Sequence, residues 1–387
     1  MPRKRAAKGS GTLRKRADGR WEAKAPIGID PGTGKTKYKH FYSHKEKEAA
    51  AWLRKTTSEV DEGVYTEPSR LALGAWMDIW LAEYCGHLKE STLGLYKLRV
   101  EKTIKPALGA VKLHSLNPAT IQAFYNGLQR GEKPLAAKSI KNIHGVLHKA
   151  LQQALALNYI RLNPSNACTL PRVGKPDIKP LMDDDMQRFI ASIQGHRYER
   201  PLLVGMFTGI RQGELIGLTW DCVDFKKGLI YLHRQLQKID GEYKFTTLKS
   251  NKTRTITPAQ FVMDTLKEQR RIQNEWRLLA GPAWHDDDFV FTNELGEHMK
   301  KQTLYANFKQ VVAGLGLPNA RFHDLRHTYA VAALQSGDDV KTVQENLGHH
   351  TAAFTLDVYG HVTEQMKRES AARMDAFIRG IKSKHYD

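Results

Sequence analysis

The chain has 387 residues, 41% of them hydrophobic, and its 60 Lys and Arg against 41 Asp and Glu give a net charge of +19. That length predicts two or three domains, and a positive excess of this size concentrates polyanions at the surface, which makes nucleic acid the default partner. Three scattered cysteines, Cys85, Cys168 and Cys222, supply neither a disulfide framework nor a Cys-x-x-Cys metal pair, no apolar run approaches the ~20 residues that span a bilayer, and the basic start Met1 to Lys8 lacks a secretory core, so a cytoplasmic protein with no membrane partner is expected.

Residues 1–10 read as a basic tail containing Pro2-Arg3-Lys4-Arg5. A small unit follows over 11–64. Leu13 to Arg16, the turn signal Asp18-Gly19 and the alternating run Arg20 to Ile27 read as a hairpin. A second turn, Pro31-Gly32-Thr33-Gly34, precedes a third strand over Lys37 to Phe41, and a helix over 45–62 closes the unit with Ala49, Trp52, Leu53 and Thr56 on one face. This sheet carries Arg14, Lys15, Arg16, Arg20, Lys24, Lys35, Lys37 and Lys39. A ribbon or sheet of that kind can enter a major groove; the alternative is a basic sheet that only packs on its neighbour.

After a linker marked by Pro68, residues 69–162 read as a helical domain. Leu73, Trp76, Trp80 and Tyr84 recur at helical spacing and predict core. Ser91 is expected to cap the next helix, where Tyr96, Val100 and Ile104 keep the period. Asn117-Pro118 has the form of an N-cap followed by proline at the first helical position, and Ile140, Ile143, Leu147, Leu151 and Leu155 line a last helix. Lys97, Arg99, Lys102, Lys105, Lys138, Lys141 and Lys149 are expected on its surface. Four prolines over 163–180, Pro164, Pro171, Pro176 and Pro180, predict an extended connector.

The remainder, 181–387, mixes helices with a small sheet. An apolar run from Leu202 to Phe207 predicts a buried helix. Residues 229–232, 243–247 and 253–257 read as three antiparallel strands, 260–279 as a long helix, 289–292 as a short buried strand and 301–315 as another helix. Residues 363–381 predict a terminal helix with Met366, Ser370, Met374 and Phe377 along one side.

Three short stretches in this last part gather cationic and acid–base side chains. One is Thr208-Gly209-Ile210-Arg211-Gln212-Gly213-Glu214. Another is Thr247-Leu248-Lys249-Ser250-Asn251-Lys252-Thr253-Arg254. The third runs from Arg321-Phe322-His323-Asp324-Leu325-Arg326-His327 through Leu347-Gly348-His349-His350 to Thr355-Leu356-Asp357-Val358-Tyr359. If His323 opens a helix, His323 and Arg326 are neighbours on its surface, so an imidazole and a planar, permanently charged guanidinium face one anion. Glu214, one turn after Arg211, either orients that arginine or is a surface carboxylate.

In order and local context these stretches resemble the signature of the tyrosine recombinases, the phage-type integrases, over roughly the last 210 residues. The resemblance implies a catalytic set of Arg211, Lys249, His323, Arg326, His349 and Tyr359, with Lys252 as the fallback for Lys249. It implies a mainly α chain with small β-sheets: an arm-site DNA-binding domain over 11–64, a helical core-binding domain over 69–162, and a mixed α/β catalytic domain whose helical tail packs either within its own chain or onto a neighbour. Arg14, Arg16, Arg20, Lys24, Lys37 and Lys39 in the first, and Lys97 and Lys141 in the second, are the expected DNA contacts.

The implied reaction is transesterification. Tyr359 attacks a backbone phosphate, forms a 3′-phosphotyrosine and releases a 5′-hydroxyl, and a partner strand's hydroxyl reverses the step. A free tyrosine has a pKa near 10, so a cationic pocket or proton acceptor must activate it. Arg211, Arg326 and His349 stabilise the pentacoordinate phosphate, Lys249 is the general acid and His323 exchanges protons with the nucleophile. Bond energy is conserved, so neither nucleotide cofactor nor metal is expected. The implied partners are double-stranded attachment sites of core and arm type and a tetramer of this chain on DNA, with an excisionase or host DNA-bending protein as optional helper. A phage or conjugative transposon is the implied mobile element. The competing readings are a zinc hydrolase built on His323-x-x-x-His327, a DNA-binding protein without chemistry, and a type IB topoisomerase.

Overall fold

The computed structural model describes residues 10–30, 32–62, 65, 70–174, 179–249, 252–348 and 363–383. Contacts divide the chain into two units, Met1–Gly174 and Lys175–Asp387. Among the described residues no helix is long and apolar enough to cross a membrane.

Strict alternation organises the first sheet, in which β1 (Thr12–Lys15), β2 (Trp21–Ile29) and β3 (Thr36–Ser43) pair antiparallel in that order. Leu13, Ala23 and Phe41 stand opposite one another, and so do Arg14, Glu22 and Tyr42. Residues two apart share a face, so the first trio and Ala25 face α1 (Glu46–Asp61), while the second faces away. The small side chains of Ala23, Ala25 and Ala49 are fully buried at the contact and let the helix approach; Trp52 of α1 stacks on Phe41 at 5.3 Å.

The helices α2 (Leu73–Ile79), α3 (Glu90–Arg99), α4 (Lys105–Leu108), α5 (Pro118–Arg130) and α6 (Ala137–Ala156) share one core. α2 runs on as a π-helical turn over Trp80–Tyr84, and α3 does so over Val100–Ile104. Asn117 caps α5 as its sequence predicts, its side-chain oxygen accepting the Thr120 N–H at 2.9 Å. Ser91 does not cap α3: the helix begins two residues earlier than that cap would place it, at Glu90, with Lys89 at the cap position. Trp76 is fully buried and its indole N–H donates to the Ala150 carbonyl of α6 at 2.9 Å, so the aromatic stripe is core.

In the second unit, α7 (Asp183–Ile193) precedes a nearly all-apolar α8 (Glu199–Thr208), which packs against α10 (Gln260–Ala280) and α12 (Phe322–Gln335). The short α9 (Gln212–Ile216) follows α8, and α11 (Lys301–Gly314), α13 (Val340–Leu347) and α14 (Thr363–Ser383) complete the helices labelled here.

The strands differ from the expected three. β4 (Val223–Asp224), β5 (Leu229–Leu232) and β8 (Arg254–Ile256) form one sheet, and 243–247 lies instead in β7 (Glu242–Thr247), paired with the unanticipated β6 (Arg234–Ile239). Leu232 pairs with Arg254 while Arg234 pairs with Thr247. The two pairs of strands are therefore successive parts of one long hairpin, with His233 alone between them on one arm and residues 248–253 between them on the other; of these, Leu248 is buried, and 250 and 251 lie outside the described residues. The expected strand over 289–292 is reduced to two isolated bridges, Thr219 to Phe289 and Thr292 to His298.

Trp76→Ala should remove a fully buried tryptophan from the helical core together with its hydrogen bond, and is expected to cost about 3–5 kcal/mol in denaturant unfolding of the full chain. A loss under about 1 kcal/mol would mean that the aromatic stripe does not hold this core.

Candidate active site

A glycine turn begins the site. α8 ends at Gly209 in the left-handed region, with φ at 61°, and a Cβ there would lie 2.6 Å from Leu347 Cδ2 and 2.7 Å from Tyr329 Cδ1. Only glycine allows α12 and α13 to close over the turn. Arg211 follows in extended backbone as the residue before α9, and Glu214 folds back on it: its carboxylate accepts the Arg211 backbone N–H at 2.9 Å and Nη1 at 2.8 Å. The carboxylate is 1% exposed, so Glu214 is an orienter and not a surface group.

Three arginines then meet the carboxyl end of α13. Arg211 Nη2 donates to the Gly348 carbonyl at 3.1 Å. Arg326, on α12 and 2% exposed, donates through Nη2 to the Leu347 carbonyl and through Nη1 to Gly209 O at 2.8 Å. Arg254, opening β8, donates through Nε to the Asn346 carbonyl at 2.8 Å, and its other two nitrogens reach Glu214 at 2.6 and 3.2 Å. The last carbonyls of a helix have no partner within it and carry partial negative charge, so three consecutive carbonyls each take a different guanidinium. Glu214 pairs with two of these guanidiniums, those of Arg211 and Arg254, while Arg326 donates to carbonyls, so the three arginines and one carboxylate carry a surplus of two positive charges.

Burial by itself would raise the Glu214 pKa, but the hydrogen bond and charge of Arg254, then the charge of Arg211, outweigh it and pull the carboxyl down to about 2. The carboxylate therefore stays ionised between its two arginines.

His323 lies in the first turn of α12, and its ring meets that of His327 edge to face at 5.0 Å. Desolvation, then the charges of Arg326, Arg211 and Arg321 against the opposite pull of Asp324, press its pKa down to about 4. The residue is exposed, so solvent moderates the first cause, while the charge of Arg326 acts in the same direction. His323 is thus neutral near pH 7. His327 is pushed down to about 4 as well, by burial and then by His323. Among the described residues no group of three or more His, Cys, Asp or Glu side chains is disposed to hold a metal.

Of the six expected residues, the structure brings Arg211, His323 and Arg326 together. Lys249 is exposed two residues after β7, and its fallback Lys252 is exposed two residues before β8. His349 and Tyr359 lie outside the described residues.

The expected DNA contacts sort by face. Arg14 and Lys24 are on the sheet face turned away from α1, and Arg16 and Arg20 extend it at the β1–β2 turn. Aromatic rings are interleaved with them: Lys24 Nζ sits 3.9 Å from the Tyr38 ring, and the Arg16 and Arg20 guanidiniums lie 5.2 and 5.8 Å from that of Tyr42. Under them Glu22 is buried, accepting from Arg14 at 2.7 Å and Tyr42 at 3.2 Å and pairing with His40 Nδ1 at 2.8 Å. Lys37 and Lys39 alternate to the other side of β3; Lys37 pairs with Asp30, and half-buried Lys39 lies over Tyr65. In the helical part, Lys97 on α3 and Lys141 on α6 are both exposed.

Comparison with known proteins bears on this arrangement. Residues 179–366 match the Phage integrase family, and residues 72–129 match the Phage integrase, N-terminal SAM-like domain. A Tyrosine recombinase XerC-like protein of Caldanaerobacter subterraneus subsp. tengcongensis is 30% identical over 374 residues, covering 91% of this chain and 95% of that protein. The chain belongs to the phage integrase family of tyrosine recombinases.

The integrase is also 24% identical over 371 residues to the ICEBs1 integrase of Bacillus subtilis strain 168, covering 95% of this chain and all of the relative. Its fold resembles the Tn1549 transposon integrase in complex with transposon right end DNA, with a TM-score of 0.66 at 20% identity over 79% of this chain and 100% of that one. It also resembles a lambda integrase tetramer bound to a Holliday junction, with a TM-score of 0.56 at 20% identity over 88% and 96% of the two chains. The integrase is therefore a tyrosine-type site-specific recombinase with the mainly helical architecture and small sheets that the motifs imply.

Sequence reasoning missed Arg254. Its only local signal is its place five residues after Lys249, where it reads as the start of a strand; the partners that define it are 40 and 92 residues away. Glu22 was missed as well, since a carboxylate among basic residues on a strand reads as charge balance.

The Glu214 carboxyl has a folded pKa of about 2 against an ordinary 4.5. Its contribution to stability is fully present above pH 4.5 and is lost as pH falls through about 2. Glu214→Gln is expected to lower unfolding free energy near neutral pH by roughly 3 kcal/mol and to flatten the acid dependence across that window. Equal acid dependence in variant and native integrase would remove Glu214 from this role.

Proposed function

We propose that this integrase cuts and rejoins duplex DNA at the attachment sites of a mobile element through a 3′-phosphotyrosine on Tyr359. The observation that carries the reading is the seating of Arg211 and Arg326 on the carbonyls of Gly348 and Leu347, directly before His349 in the chain, with a surplus of positive charge beside them. The guanidiniums and His349 stabilise the charge that grows on the phosphate, where preorganised donors have their largest effect. Neutral His323 accepts the phenol proton. Lys249, exposed two residues after β7, protonates the leaving 5′-oxygen.

The phenol forms the new ester as the sugar oxygen leaves, so atoms and electrons balance with no external energy source. The 5′-hydroxyl of a second strand then displaces the phenol. The ICEBs1 and Tn1549 relatives favour integration and excision of a mobile element as the outcome. The lambda integrase tetramer on a Holliday junction favours a tetramer on DNA as the working assembly. On this reading the helical part holds core-type sites through Lys97 and Lys141, the amino-terminal sheet holds arm-type sites, and an excisionase or host DNA-bending protein sets direction.

Nicked duplexes tiled across the DNA that flanks the coding gene test the chemistry. Native integrase should trap a covalent adduct on one of them, and Tyr359→Phe should bind the same duplex without trapping. An adduct formed by that variant, or one mapped to another residue, defeats the assignment.

The sheet makes a separate prediction. Arg14→Ala and Lys24→Ala should each weaken arm-type duplex binding and reduce the slope of log affinity against log salt by about 0.9 per lost phosphate contact. Lys39→Ala, altering the α1 side, should leave the slope unchanged; the reverse pattern would assign the wrong face.

A further inference from the structure

Arg254 stands apart from the six residues assigned to the chemistry, yet its guanidinium makes two hydrogen bonds to Glu214 where that of Arg211 makes one. Its side chain is 9% exposed. Through its backbone it pairs with Leu232 of β5, and it is the first residue of β8, five residues after Lys249. Through its side chain it reaches Glu214 with two nitrogens and the Asn346 carbonyl with the third. The seat is full on its far side, where a Cβ added at Gly348 would lie 3.1 Å from Arg254 Cδ. One residue thus joins the root of the Lys249 loop, the carboxylate that orients Arg211, and the helix end that leads into His349.

We propose that Arg254 is a positioning residue for strand cleavage, which holds Glu214, and through it Arg211, in register with the Lys249 loop and the end of α13 without itself touching the phosphate. The inference rests on the assignment of Arg211 and Lys249 made above. A guanidinium is needed because its three nitrogens, in one plane, meet a carbonyl on one side and a carboxylate on the other; an ammonium is a point charge that cannot span them. Removing Arg254 leaves Glu214 buried with Arg211 as its remaining guanidinium, while Arg326 faces Gly209 and Leu347. Arg211 then loses a fixed partner.

The test uses the full chain and the flanking duplex on which the native integrase forms its adduct. Arg254→Lys and Arg254→Gln are compared with native protein in single-turnover adduct formation at saturating DNA, in duplex affinity across a salt series, and in thermal unfolding. The expected result is a cleavage rate lower by about 30-fold or more in both variants, with affinity within about twofold. The salt slope should be unchanged, because no phosphate contact is lost. Cleavage by Arg254→Lys should also acquire an acid limb absent from the native profile, since the Glu214 carboxyl loses the partner that holds its pKa down. Adding Glu214→Gln to Arg254→Lys should cost much less than it costs alone, because the two residues act as one unit.

Cleavage within about threefold of native in both variants would overturn the proposal. So would a salt slope lower by about 0.9, which would make Arg254 a phosphate contact. Loss of cleavage in step with loss of folded protein, with an unaltered pH profile, would reduce Arg254 to a merely structural residue and overturn it too. If native integrase forms its adduct and the Arg254 variants match it, only this inference fails; if the native adduct is not on Tyr359, the catalytic assignment fails with it.

Discussion

The carboxyl end of α13 is the interaction on which the second unit's site depends. A helix terminus ordinarily leaves its last carbonyls to water or a glycine cap; α13 ends on such a glycine, Gly348 with φ at 63°, and the carbonyls of Asn346, Leu347 and Gly348 are taken by arginines that arrive from three other elements. Arg211 comes from the turn after α8, Arg254 from β8 and Arg326 from α12. Elements far apart in sequence are thereby fixed to one another at a point. The cost of burying three cations is offset by the helix-end dipole, by Glu214 and by the hydrogen bonds themselves. Replacing the carbonyl end with a frayed one would release all three together, which makes the site a single cooperative assembly.

The contrast between what could and could not be read beforehand follows from the range of the forces involved. Helices with a strong apolar period are set by neighbours three and four residues away, so α6, α8, α10 and α11 begin and end near where the pattern puts them. The Asn117 cap is likewise local. The long hairpin is different: its strands are short and polar on one side, and the arms are of unequal length between its two paired parts, which no alternation encodes. Reading 243–247 against 229–232 follows naturally from spacing, but the unseen β6 takes that partner because it lies across the tight Asp240-Gly241 turn, where both residues have positive φ.

The same distinction holds for the candidate site. Arg211, His323 and Arg326 were legible through the company they keep in sequence, and Glu214 was legible as one of two alternatives that burial then decides. Arg254 was not, because everything that defines it is long-range. On the amino-terminal sheet the period of two was legible but the choice of face was not, since Lys37 and Lys39 are as basic as Arg14 and Lys24. The alanines at 23, 25 and 49 make that choice by admitting the helix on one side.

Charge accounts for why such a cluster is worth assembling. With His323 neutral at working pH, Glu214 against Arg211, Arg254 and Arg326 leaves two positive charges. A phosphodiester in its ground state brings one negative charge, whereas the pentacoordinate species formed when an aryl oxygen adds to it carries two. On the proposed chemistry the surplus therefore matches the transition state more closely than the substrate, which is the condition under which binding energy raises rate and not only affinity. Fixed guanidiniums also need no reorganisation as that second charge appears, because the carbonyls of α13 and the Glu214 carboxylate already hold them in place. The helix end that accepts the arginines' hydrogen bonds before DNA arrives is thus the same element that keeps them aimed once it has.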